Sequence, residues 1–148
     1  MDIGSGSTYP SCALSNFSPH PFIFDGVECS SMEGFLQSLK FSNPDMQAYV
    51  CSLVGKAAKF KGKKKKWFRD QTLYWKGNPI ARDSQEYQDL LTNAFDALAT
   101  NDGFKRAILA TRNSTLTHSM GKNKINETVL TEKEFCNQLY RVRSILSN

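Results

Sequence analysis

The stretch from residue 14 to residue 41 constrains the fold of this chain more than any other. In it, two short apolar runs, Phe22–Phe24 and Val27–Cys29, flank Asp25 and Gly26. An Asp-Gly pair between two such runs is the strongest short-range signal for a β-hairpin with a two-residue turn. The sequence therefore predicts an antiparallel hairpin at the N-terminal end of the chain.

The segment after the hairpin predicts a capped, amphipathic helix. Ser30, followed three residues later by Glu33, is a capping-box pattern, in which Ser30 caps the helix and Glu33 reaches back to it. The apolar side chains then recur at helical spacing and predict one buried face, formed by Met32, Phe35, Leu36 and Leu39.

A second face of this helix carries a carboxylate, an amide and an amine, because Glu33, Gln37 and Lys40 follow at i, i+4 and i+7. We call these three residues the polar row. Two interpretations stay open on spacing alone. Glu33 is either a capping carboxylate or a functional acid, and Lys40 is either a solvated lysine favoured by the helix dipole or a functional amine.

The remaining patterns are mainly helical. A second helix is predicted from Asn43 to about Val54, with Gly55 as its stop and with apolar side chains at Met46, Val50, Leu53 and Val54. Residues 60–79 look irregular apart from a short strand at 72–75. Three more helices are predicted to begin at the capping patterns that open at Asp83, Asp102 and Thr131.

These elements predict an α+β fold: one domain over residues 1–148, mostly helical, with a small N-terminal antiparallel hairpin or sheet. At 148 residues with 40% hydrophobic side chains, the chain can bury a core. It shows neither a signal-peptide pattern nor an apolar run of about 18 residues, which predicts a cytoplasmic protein without a membrane partner. The cysteines are scattered and the two histidines lie far apart, so neither a metal nor a cofactor is expected.

The positive charge of the chain is concentrated in residues 55–66, which hold seven lysines. Removing these seven from the 19 basic residues leaves 12 against 14 acidic ones, although the whole chain carries +5. Because aromatic residues follow at once, the run suits nucleic-acid binding, with its last four lysines as candidate contacts: Lys63, Lys64, Lys65 and Lys66. A solvated loop and a nuclear-localisation signal are the alternatives.

Residues 14–17 (Leu-Ser-Asn-Phe), the hairpin and residues 31–41 together resemble the NADAR (NAD and ADP-ribose) family, also called YbiA-like. The family's core pattern is similar to Ser-x-Glu-x-x-x-Gln-x-x-Lys-Phe, and every fixed position is present from Ser31 to Phe41. Weaker matches at 55–59, 109–111 and 139–143 extend the resemblance over nearly the full length. Residues 126–132 depart from it, since members that cleave riboflavin intermediates carry Trp-Gly-Asp and Asn-Arg-Leu-Gly there.

The resemblance implies a YbiA-like fold and an enzyme that cleaves an N-glycosidic bond between ribose and an amine or base nitrogen. It implies that Lys40 is an amine nucleophile that forms a Schiff base and that Glu33 is the general acid/base. Glu127 falls where other members carry an aspartate and is the candidate second carboxylate. The candidate substrate-binding residues are Asn16, Phe17, Gln37, Trp75 and Gly121.

Within the family, the lysine run and the departure at 126–132 favour a hydrolase that removes ADP-ribose from guanine bases in nucleic acid, with DNA as the expected form. Such an activity would reverse a DNA-ADP-ribosylating toxin, as an antitoxin or as a phage anti-defence protein. The alternatives are an N-glycosidase of phosphorylated riboflavin precursors and a non-catalytic module that binds ADP-ribose or nucleic acid.

Overall fold

The N-terminal hairpin has the turn that its Asp-Gly pair predicts. In the computed structural model, which describes all residues from Met1 to Asn148, strands β1 (Phe22–Phe24) and β2 (Val27–Cys29) pair antiparallel. Asp25 has φ 50° and Gly26 has φ 78°. Positive φ at both central residues is the geometry of a tight two-residue turn, so this prediction is confirmed.

Helix α1 (Met32–Ser38) begins one residue later than its sequence predicts. The cap is Ser31, whose hydroxyl accepts from the Gly34 N–H at 3.0 Å and donates to the Leu53 carbonyl at 3.0 Å. The capping box from Ser30 to Glu33 is therefore wrong. Ser31 caps the helix because its buried position lets the hydroxyl bridge α1 to a later segment, and Glu33 is left free for another partner.

Two short helices follow, α2 (Pro44–Cys51) and α3 (Gly55–Lys63). Asn43 caps α2 as expected, accepting from the Met46 N–H at 2.9 Å. The predicted end at Val54 is wrong, because α2 stops at Cys51 and Gly55, with φ 54°, is the first residue of α3. Most of the lysine run is thus helical. Met46 and Val54 are exposed, and the buried residues of α2 are Gln47, Val50 and Cys51.

A second hairpin follows a single 3₁₀ turn at Trp67–Arg69. Strand β3 (Thr72–Trp75) confirms the predicted short strand, and it pairs antiparallel with β4 (Asn78–Ala81). The sequence does not predict β4, because Pro79 lies within it and Ile80 is its only buried side chain.

Three more helices complete the chain: α4 (Gln85–Leu98), α5 (Asp102–Ala110) and α6 (Glu132–Leu146). The Thr131–Glu134 capping box of α6 is confirmed, since each side chain bonds the other residue's backbone N–H. The caps of α4 and α5 are Ser84 and Asn101, each one residue from the predicted position. The predicted inward stripe of α4 is fully buried: Tyr87, Leu90, Leu91, Ala94, Phe95 and Leu98.

The fold is α+β and mostly helical, with two separate two-stranded antiparallel sheets. Helix α1 lies at its centre, packed against α2, α3 and β2. Its predicted apolar face is buried: Met32, Phe35, Leu36 and Leu39. All four cysteines are free thiols. No helix combines the length and apolar character that crossing a bilayer requires.

Candidate active site

Helix α1 is held between α2 and α3 at very close range because glycine occupies both contact points. A Cβ at Gly34 would lie 2.5 Å from the Leu53 carbonyl oxygen and 2.9 Å from that of Cys51. A Cβ at Gly62 of α3 would lie 2.7 Å from Cδ of Gln37. The polar row therefore lies on the side of α1 that faces α3, and its backbone is fixed by packing on both sides.

The first two members of the polar row are hydrogen-bonded to each other. Nε2 of Gln37 donates to Oε2 of Glu33 at 2.7 Å, and the Glu33 N–H donates to the Asn16 carbonyl at 3.0 Å. Gln37 is only 8% exposed, and its Oε1 atom is buried without a hydrogen-bond partner in the protein. An unpaired buried acceptor costs about 1–3 kcal/mol, and such groups are often found where function requires them.

The third member, Lys40, lies in the turn just beyond the end of α1, not on the helix as predicted, and contacts α3 rather than the carboxylate. Its half-buried Nζ donates to the Gly62 carbonyl at 3.5 Å. The three ion pairs of the structure are Lys76–Asp25, Arg82–Glu134 and Arg141–Asp96, so Lys40 and Glu33 form no salt bridge. The amine and the carboxylate thus lie on either side of Gln37 without neutralising each other.

Burial shifts the two titrating members of the row in opposite directions. Desolvation raises the pKa of Glu33, although the Gln37 hydrogen bond and the charges of Lys40 and Lys59 partly offset it. Desolvation lowers the pKa of Lys40, opposed by Glu33 and reinforced by the charge of Lys122. Both shifts favour the neutral forms, a protonated carboxyl and a free amine, which are the states that a general acid and an amine nucleophile require.

Two predicted binding residues, Asn16 and Phe17, lie beside the row. The Asn16 carbonyl accepts from Glu33, and the Phe17 ring comes within 3.8 Å of the position that a Cβ at Gly55 would occupy, at the start of α3. Both are half-buried. The structure thus brings the N-terminal loop, α1 and α3 together around the carboxylate and the amine.

Trp75, a predicted substrate-binding residue, is packed inside the protein in this structure. The ring is only 8% exposed and packs against Phe24 and Phe35, at centroid distances of 5.2 and 5.4 Å. Its indole N–H donates to Asp25 in the hairpin turn at 2.9 Å. Trp75 therefore joins the two hairpins, and its assignment as a substrate-binding residue stays a prediction.

Gly121 and Glu127 lie outside the row, in the loop before α6. A Cβ at Gly121 would lie 2.7 Å from the His118 ring, which indicates a packing role. Glu127 is exposed in a turn closed by its N–H on the Lys124 carbonyl, and no hydrogen bond or ion pair joins it to Glu33 or Lys40. Its assignment as a second carboxylate stays a prediction.

Sequence reasoning missed two residues that act on the row, Lys59 and Lys122. Lys59 lies in the lysine run and three residues before Gly62, so only its place on α3 distinguishes it from its neighbours. Lys122 has no sequence signal at all, because its charge acts on Lys40 only through the tertiary fold. Lys63, Lys64, Lys65 and Lys66 are all exposed, and the ammonium of Lys65 lies 5.0 Å from the centroid of Phe41.

A surface cavity of about 410 Å³ lies elsewhere, lined by residues of α4, α5 and α6 and their connections: Asp96, Ala99, Thr100, Lys105, Val142, Ile145 and Leu146. It shares no residue with the polar row. Its acidic side chain, Asp96, is already paired with Arg141 at 2.7 Å. The row, where the titrating groups form no ion pair and their pKa values are shifted, is therefore the candidate active site.

Comparisons with known proteins agree with this description. The chain is 39% identical over 149 residues to a 17.1 kDa protein of the Gp30-rIII intergenic region of Enterobacteria phage T4, an alignment that covers 99% of this chain and 98% of the relative. Its structure is similar to the NMR structure of the Escherichia coli protein YbiA, with a TM-score of 0.63 and 16% identity, over 99% of this chain and 84% of YbiA.

The fold and the polar row define a YbiA-like α+β protein of the NADAR type. The family model described as bacteriophage protein GP30.3 matches residues 8–144. The chain belongs to this GP30.3 family, a NADAR-type family. Membership suggests a glycosidase-type enzyme.

Proposed function

We propose that this protein is an N-glycosidase that removes ADP-ribose from guanine bases of nucleic acid. One observation carries the proposal: the half-buried Glu33 and Lys40 lie on either side of Gln37 without forming an ion pair. The pKa of Glu33 is raised and that of Lys40 is lowered, both mainly by burial. An acid and a free amine beside each other are what cleavage through a Schiff base needs.

The reaction follows from these two groups. The Lys40 amine attacks the anomeric carbon while the bond from that carbon to the guanine nitrogen breaks, and Glu33 gives its proton to the leaving base. The amine then loses a proton as the ring carbon–oxygen bond opens, and the ring oxygen takes up a proton, which leaves a Schiff base on Lys40. Water adds to the imine carbon, and Lys40 departs as the free amine with release of ADP-ribose.

The other residues around the row have supporting roles in this proposal. Gln37 keeps the Glu33 carboxyl oriented through its 2.7 Å hydrogen bond. Asn16 and Phe17 border the row and are suited to holding the sugar and stacking on a ring. We expect Gln37 also to orient the sugar hydroxyls, and its side chain then has to shift on binding because its free oxygen is buried.

The choice of a nucleic-acid substrate is supported by charge. Helix α3 carries the lysine-rich surface and the same helix forms one side of the site, so a polyanion bound there passes close to Glu33 and Lys40. A similar protein is encoded by phage T4, and a phage protein with this activity would counter a host toxin that ADP-ribosylates DNA.

Product analysis tests this proposal. The protein is incubated with an oligonucleotide that carries ADP-ribosylated guanine and, separately, with the phosphoribosylamino-pyrimidine precursor of riboflavin. We expect release of ADP-ribose and an intact oligonucleotide from the first substrate only. Turnover of the pyrimidine alone would assign the site to riboflavin intermediates, and binding of either compound without turnover would indicate a non-catalytic module.

A further inference from the structure

The outward side of α3 presents an exposed aromatic ring between lysines. Phe60 is 62% exposed, more than any other phenylalanine of the chain, although it lies in the middle of a helix. A single ring among charges is not a contiguous apolar patch of the kind that docks a protein. Residues 55–69 contain seven lysines and one arginine and no acidic residue, so the surface suits a polyanion.

Helix α3 runs alongside the polar row. Its first residue, Gly55, faces Phe17, and the charge of its middle residue, Lys59, acts on Glu33. Gly62, one residue before its end, contacts Gln37 and Lys40. A strand that places a modified base at the row can therefore leave the site across this helix.

The angular positions on α3 define that exit. At about 100° per residue, counted from the inward-facing Gly62, Lys59 lies roughly 60° round the helix. Lys56 and Lys63 follow at roughly 100–120°, and Phe60 lies at roughly 160°. The lysine ammonium groups and then the Phe60 ring thus follow one another around the helix, from the edge of the polar row to the outer surface. Lys61 lies on the opposite flank, with its ammonium 5.8 Å from the centroid of the Tyr49 ring.

We propose that Lys56, Lys63 and Phe60 form a binding surface for an unpaired nucleic-acid strand, with the two lysines on phosphates and Phe60 stacked on a base next to the modified one. This inference rests on the proposed function, because the bound strand would be the substrate of the proposed hydrolase. A ring on a convex helix can stack only on a base that is not already stacked in a duplex, whereas the lysines alone would accept any polyanion.

Fluorescence anisotropy with unmodified DNA tests the surface. The probes are a labelled oligothymidylate of about twelve nucleotides and a blunt duplex of the same length. We expect the wild type to prefer the single strand. We expect Phe60→Leu, which keeps the apolar volume and removes the aromatic face, to weaken strand binding by roughly fivefold with little effect on the duplex. Phe60→Trp should bind at least as well as the wild type.

The lysines have a matched control on the same helix. Lys56→Ala and Lys63→Ala should each weaken strand binding and flatten its salt dependence by roughly 0.7 in the logarithmic slope, and Lys61→Ala should do neither. Equal binding by Phe60→Leu and the wild type, equal losses from all three lysine variants, or no binding to either DNA would overturn the proposal. A Phe60-dependent complex with an acidic protein in place of the strand would overturn it as well.

The probe contains neither guanine nor ADP-ribose, so this assay does not depend on the proposed hydrolysis. If the protein binds the strand as described but releases no ADP-ribose, the binding surface is supported and the proposed function is wrong. If the protein releases ADP-ribose but does not bind the strand, only the proposed binding surface is wrong.

Discussion

The side chain of Gln37 occupies the space that a Cβ on Gly62 would need. Such a Cβ would lie 2.7 Å from Cδ and 3.0 Å from Cβ of Gln37. The same amide donates to Glu33 at 2.7 Å, and the Gly62 carbonyl accepts from Lys40 at 3.5 Å. One glycine of α3 therefore helps to position both the carboxylate and the amine.

The first prediction concerns this glycine. Gly62→Ala forces the Gln37 amide away from its place and disturbs its bond to Glu33, so we expect a loss of kcat of roughly 10- to 100-fold. The added methyl group should also lower the free energy of unfolding by about 1–3 kcal/mol. Hydrolysis rates and urea denaturation measure the two effects. Gly6→Ala is the matched control, because nothing lies within 4 Å of a Cβ there. Wild-type activity in Gly62→Ala would show that α3 does not position the row.

The second prediction concerns Lys40. We expect Lys40→Ala to lose activity by about a thousandfold or more, because the nucleophile is gone. Borohydride, added during turnover, should trap a sugar adduct on the wild type and none on this variant, as mass spectrometry of the intact protein would show. Lys59→Ala, which leaves the amine in place, should still be trapped. An active Lys40→Ala enzyme would exclude Lys40 as the nucleophile.

The third prediction concerns pH. Burial lowers the pKa of Lys40 and the charge of Lys122 acts in the same direction, against Glu33. Lys122→Met removes that charge and raises the pKa of Lys40, so less of the amine is neutral at pH 7. We expect kcat/KM to fall a few-fold there and the alkaline break of the pH profile to move to higher pH. Since Lys122 is exposed, high salt should reduce the difference.

Lys124→Met is the control for this experiment, since Lys124 is a neighbouring exposed lysine whose charge does not act on Lys40. Its profile should match that of the wild type. Identical profiles for all three proteins would mean that Lys122 does not tune the amine.

The fourth prediction concerns the ion pair that fastens α6 to the second hairpin. Arg82 is buried and bonds the Glu134 carboxylate through both terminal nitrogens, at 3.1 and 2.6 Å. We expect Glu134→Gln to cost about 3–5 kcal/mol of unfolding free energy at pH 7, because it leaves a buried charge unpaired. Asp96→Asn breaks the exposed pair with Arg141 and should cost less than about 1 kcal/mol.

The pH dependence of this effect has a definite sign. Although burial alone would raise it, hydrogen bonds from Arg82, Thr131 and Gln88 hold the pKa of Glu134 below its ordinary value. The stabilisation is therefore complete above an unfolded-state pKa of about 4.3 and is lost as the pH falls through the lower folded value. Urea denaturation of wild type and Glu134→Gln should converge in acid, and a constant difference would contradict the argument.

Much of the local structure could be predicted from adjacent residues. The Asp25-Gly26 turn, the buried face of α1, the stripe of α4 and the Thr131–Glu134 capping box all depend on spacings of four residues or fewer at each step. These features depend on local backbone geometry and on the burial of one face of an element. Both can be recognised in a short stretch of sequence.

Other features could not be predicted because distant segments decide them. Ser31 rather than Ser30 caps α1, since only its hydroxyl reaches the Leu53 carbonyl. The glycine at 55 starts a helix instead of ending one. Trp75 packs against two aromatic neighbours from other segments of the chain, whereas the sequence predicts it as a substrate-binding residue.

The sequence alone determined that a carboxylate and an amide share one face of a helix and that an amine follows in the next turn, because helical periodicity places i and i+4 together. Only the tertiary structure decided that this face is closed by α3 and approached by Lys59 and Lys122. Desolvation depends on which segments cover a group, and those segments are far apart along the chain. Burial by these segments shifts the pKa values of Glu33 and Lys40, which an exposed polar stripe would not show.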